Sequence, residues 1–98
     1  MESIAVYQIY SSFKVTGRGI VLIGKILEGQ IISNDVFIEF EFDKQILKRR
    51  IKEIDEAIRI SAKKSGLGIL IEISDEEESI NLSNWGPNHT IGKIYINR

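Results

Sequence analysis

The sequence has no cysteine, one histidine, one proline and one tryptophan, and each shortage removes a class of answer. Without cysteine there is no disulfide, no thiolate zinc site and no cysteine nucleophile. The lone histidine, His89, has no Ser/Asp pair spaced near it, so neither a catalytic triad nor a metal cluster is readable, and capping or packing is its expected role. No window of eighteen apolar residues occurs, which excludes a spanning helix. Met1 runs straight into Glu2 without the basic and apolar regions of a secretory leader, and the chain reads as cytoplasmic. Net charge is scarce too. Thirteen Lys and Arg against 14 Asp and Glu leave −1, so a nucleic acid or an acidic lipid would have to be held by a local patch.

What is abundant is isoleucine. Twenty of 98 residues are Ile, and a β-branched excess of that size favours strands. The length suits one domain with one core, residues 1–98. Ile4, Val6, Ile9, Phe13 and Val15 come close to alternation, with a slip near Ser11-Ser12 that a bulge would absorb. Gly17-Arg18-Gly19 then makes a corner, and a dense apolar run follows, interrupted only by Gly24 and Lys25 before Glu28-Gly29 turns the chain. Val36, Ile38, Phe40 and Phe42 alternate with Glu39, Glu41 and Asp43, one face for a core and one for water. A polar link at Asp43-Lys44-Gln45 predicts a hairpin. Leu47, Ile51, Ile54 and Ile58 fit a helical stripe as well as a strand bulged between Ile51 and Ile54. Lys63-Lys64-Ser65 is expected as a turn, Gly66–Ile73 as a strand, Ser74 with Glu77 as the cap of a short helical turn over 75–80, and Thr90–Ile96 as the last strand. Several short strands between turn signals predict an all-β fold, a single small antiparallel β-barrel of six to seven strands.

The block Phe13, Val15, Gly17, Arg18, Gly19, Gly24, Lys25, Ile26, Gly29, Ile31 and Asp35 resembles the second domain of translational GTPases, the β-barrel of elongation factor Tu, initiation factor and their relatives. Asn34 stands where that family usually has glycine. The resemblance runs from about Tyr7 to Ile96 and implies a barrel in which Ile46–Ile54 is strand. It implies no GTPase here, because in that family the enzyme is a separate domain whose phosphate loop, Gly-x-x-x-x-Gly-Lys-Ser/Thr, is absent from this chain. Of the family's aminoacyl pocket only Phe13 is present. Tyr10, Ser11, Ile23 and Gly66 stand at its other positions.

Candidate binding residues are Lys48, Arg50, Lys52 and Trp85. The three cations would share a strand face that could contact phosphates, or could pair across a hairpin with Glu39 and Glu41. Trp85, in a Gly-Pro loop, suits either a contact anchor or a plug for one barrel end. Asp75 to Glu78 could attract a cation or a basic partner, although unspaced carboxylates in a loop are ordinarily solvated. Arg18 is expected to donate to carbonyls across its corner. No general acid, base and nucleophile cluster, so no enzyme, cofactor, nucleotide, metal or membrane partner is expected. Two functions remain, a protein-interaction or regulatory module and an RNA- or ribosome-binding accessory of translation.

Overall fold

The computed structural model describes residues 3–31, 35–61, 64–87 and 89–96, with backbone alone over 55–61 and 64–65. Six strands, β1 (Ala5–Val15), β2 (Gly19–Gly29), β3 (Val36–Phe42), β4 (Gln45–Ser61), β5 (Lys64–Ile71) and β6 (Thr90–Ile96), and one helix, α1 (Glu76–Ser83), follow one another along the chain. The strands close into an antiparallel barrel in the order β1-β2-β5-β4-β3-β6. Closure leaves so isoleucine-rich a sheet without a continuous open edge.

Between bulges, the described strand residues alternate between the outside of the barrel and its interior. Ile9, Ile20, Ile38, Ile69, Ile71 and Ile94 are fully buried there with Leu22 and Tyr7. The stiff β-branched side chains that favour extended backbone are thus the ones that fill the barrel. Tyr7 brings a hydroxyl into this core and donates to the Leu22 carbonyl at 3.1 Å and to the Leu67 carbonyl. Burial pushes its phenol well above the usual range.

The Ile46–Ile54 segment is strand, and the alternative helix is absent. A register shift falls between Ile51 and Glu53, where the strand reading requires a bulge. In β1 the slip expected near Ser11-Ser12 lies between Ile9 and Ser11, and a second one sits between Val6 and Tyr7. The first inserts Tyr10 into β1 and changes which of its side chains face inward, whereas the second inserts Leu27 into β2. Ala5, Tyr7, Ile9 and Ser12 are buried, whereas Phe13 is turned out to solvent. The β3–β4 hairpin is tighter than its sequence suggests. Only Asp43 and Lys44 lie outside the ladder, both with positive φ, the sense a two-residue turn needs to match strand twist.

Other boundaries move as well, with β5 ending at Ile71 rather than Ile73 and α1 running to Ser83 rather than residue 80. Lys64 and Ser65 are in β5 rather than a turn, and the link from β4 falls on residues 62–63, outside the described residues, as does Asn34. The helix begins one residue later than the Ser74/Glu77 spacing predicts. Asp75 is its N-cap and accepts from the Glu78 amide at 2.8 Å, while Ser74 hydrogen-bonds the Glu78 carboxylate. Both capping registers have the required spacing of three. The one adopted turns Ser79 and Leu82 into the barrel end and Glu78 toward Arg49.

Gly17 and Gly19 form the β1–β2 corner with φ of 78° and 135°. A Cβ on Gly17 would meet no atom within 4 Å, whereas one on Gly19 would lie 2.8 Å from the Ile71 carbonyl oxygen. Gly24 and Gly29 are places of close approach, where a Cβ would overlap the carbonyls of Gln8 and Ile4. Among the described residues no helix is long and apolar enough to cross a membrane.

Candidate binding surface

Strand β2 reads Ile20-Val21-Leu22-Ile23 and β5 reads Leu67-Gly68-Ile69-Leu70-Ile71, apolar on both faces. A barrel wall needs only one apolar face, so the other half of these side chains must lie on the outside. The ladders show how they line up. Phe13 pairs with Val21, Val21 with Leu70 and Leu70 with Glu53, giving a row that crosses four strands from β1 to β4 on the outer surface. The next row is Ser11, Ile23, Gly68 and Asp55. Because Gly68 has no side chain, this row is notched. The result is a recess of about 240 Å³ lined by Phe13, Val15, Val21, Ile54, Gly68 and Leu70.

Phe13 and Ile54 flank the recess and stay 41% and 36% exposed, while Leu70 at its floor is only 6% exposed. One end is closed by an ion pair between Arg18 and Glu53. Arg18 therefore does not reach across the corner to carbonyls, as its place between glycines suggests. Its own carbonyl instead accepts from Lys52 Nζ at 3.1 Å. Apolar walls with a small polar rim are what a single buried anchor side chain of another molecule requires.

The basic residues of β4 have taken other partners. Lys48 stands directly across from Glu39, as expected, with its ammonium 4.1 Å from the Phe37 ring centre. Glu39 also faces Lys93 on β6, so it lies between two lysines. Arg50 is outward like Lys48, but its Nε is 3.7 Å from Asp35 Oδ1 and its Nη1 3.6 Å from Glu72 Oε1. The bulge after Ile51 breaks the alternation at Lys52, which leans on the Arg18 carbonyl. Glu41 faces Ile46 and pairs with none of the three. Lys48 and Arg50 share the outward face, Lys52 leaves it, and each of the three is held in a local contact.

Trp85 is half-buried against the core, stacked on Phe40 at 5.4 Å between ring centres and edge-on to Phe42 at 5.1 Å. Of its two expected roles, the plug describes this packing. His89 packs too, edge-on to Tyr10 at 5.1 Å. The acidic stretch is likewise engaged, for Asp75 caps α1, Glu76 pairs with Lys14 at 2.9 Å and Glu78 pairs with Arg49. Among the described residues no group of His, Cys, Asp and Glu could hold a metal ion.

Gly19-Ile20-Val21-Leu22-Ile23-Gly24-Lys25 has the glycine and lysine spacing of a phosphate loop, yet Ile26 follows where Ser or Thr is needed. The segment is extended within β2, and a phosphate cradle needs a loop leading into a helix N-terminus.

Val21, Ile54, Gly68 and Leu70 escape a reading that looks for charge and lone aromatics. The signal that finds them is the double-sided apolar run. Compared with known proteins, the chain matches no family model, no curated protein and no solved structure.

Proposed function

We propose that the chain is a non-catalytic protein-interaction module whose contact surface is the outer recess of β1, β2, β5 and β4. The observation that carries this reading is the row Phe13–Val21–Leu70, with Phe13 and Ile54 exposed beside a notch at Gly68. Contiguous apolar surface on the outside of a small barrel costs free energy in water and is recovered when a partner covers it. In architecture the module is a counterpart of the translational-GTPase second domain. The closed barrel and the Gly17-Arg18-Gly19 corner between β1 and β2 support that reading. It acts in the cytoplasm, without nucleotide or cofactor.

Binding RNA or the ribosome through Lys48, Arg50 and Lys52 is the weaker reading. Phosphate contacts need cations that can turn toward the backbone, and these three are occupied by Phe37, by Asp35 with Glu72, and by the Arg18 carbonyl.

Selecting random peptides against the immobilised protein tests the module. Selected peptides should carry an aromatic or branched aliphatic anchor, shift the amides of Phe13, Val21, Gly68 and Leu70, and lose at least about tenfold in affinity on Phe13→Asp. Peptides that shift only the β3–β4 surface would contradict the assignment of the surface.

A further inference from the structure

The recess carries both a knob and a notch. Phe13 projects at its β1 margin, and the missing side chain of Gly68 hollows the neighbouring row. A surface with a projection beside a depression of similar size can meet a copy of itself about a two-fold axis, each projection entering the other's depression. The rim charges fit the same operation. Among the described side chains, Arg18 and Glu53 are the charged ones lining the recess; they are 55% and 59% exposed and neutralise each other. Across a two-fold axis, Arg18 of one copy can face Glu53 of the other, twice over. A chain net charge of −1 adds little repulsion between copies.

We propose that the occupant of the recess is a second copy of this chain, giving a symmetric dimer with the outer faces of β1, β2, β5 and β4 in contact. This rests on the interaction-module reading and names its partner. Phe13 is the anchor, the Gly68 notch receives it, and the Arg18–Glu53 pairs exchange partners across the axis. At about 240 Å³ the recess has room for a phenyl ring.

Sedimentation of the whole chain, over concentrations from about 1 μM to about 1 mM, measures the association directly. The mass should rise from 11.2 kDa toward twice that value. Phe13→Asp should weaken association at least about tenfold. Arg18→Glu alone and Glu53→Arg alone should each remain monomeric, and an equimolar mixture of the two should form a heterodimer because only unlike rims then meet. A charge pair acting solely within one chain gives no recovery on mixing, so a mixture that stays monomeric overturns the proposal. A wild-type chain that is monomeric throughout the range overturns it as well. If that monomer still captures display-selected peptides in a Phe13-dependent way, only the self-pairing falls. If it captures none, the module reading falls with it.

Discussion

The Arg49 guanidinium grips the Glu78 carboxylate from two sides, with Nε 2.6 Å from Oε1 and Nη2 on Oε2, and so fastens α1 to the end of the barrel. The side chains are 21% and 12% exposed, far less open to water than the other ion pairs described. The hydrogen bond from Arg49, aided by Ser74, holds the Glu78 carboxyl below the usual carboxylate range despite partial burial. The same bond pushes the guanidinium up.

Because the Glu78 pKa is depressed on folding, the pair contributes stability above the unfolded-state value, and the contribution is lost as pH falls through the folded value. Glu78→Gln should therefore lower the melting free energy by about 1 to 2 kcal/mol at neutral pH, and the gap to wild type should narrow in acid. Thermal melts of the two proteins from neutral pH down through the carboxylate range measure both effects. A gap independent of pH would assign the loss to packing alone.

Much of the barrel was legible because an inward face imposes a period of two on the apolar residues of β3. The Val36–Phe42 alternation maps onto a strand with Val36, Ile38 and Phe40 inside. The face of β1 was not legible in the same way, since the bulge at Tyr10, between Ile9 and Ser11, exchanges inward and outward positions, and bulges leave no compositional mark. The recess shares that difficulty. Its residues come from four strands and become neighbours only through ladder register, which a linear pattern does not encode. Phe13 was read as part of a corner motif, and its exposure follows from the bulge upstream.

The two corner glycines should differ under substitution. Gly17 has positive φ and open space, so Gly17→Asn should cost little and Gly17→Val about 1 to 3 kcal/mol. Gly19→Val should cost more, because its Cβ also strikes the Ile71 carbonyl. Denaturant midpoints of the three variants should fall in that order.

Ser79 faces the barrel with its hydroxyl fully buried and, among the described residues, without a hydrogen-bond partner. Ser79→Ala removes an orphaned polar group and improves helix propensity, and should raise stability by about 1 kcal/mol. A lower melting temperature for this variant would show that the hydroxyl has a partner in solution.

Trp85 packs on Phe40 and Phe42 at the end of the barrel. Trp85→Ala should cost about 2 to 4 kcal/mol by leaving a cavity, while the affinity of a recess-binding peptide should stay within about twofold of wild type. A stable variant with impaired binding would make Trp85 a contact residue instead.

The most direct test of an apolar contact surface is calorimetric titration of one display-selected peptide at about 50 mM and about 500 mM salt, beside a hairpin RNA. The account predicts a negative heat-capacity change for the peptide, affinities at the two salt concentrations agreeing within about threefold, and no measurable heat with RNA. Submicromolar RNA binding that collapses at high salt and is abolished by Lys48→Glu with Arg50→Glu would contradict it.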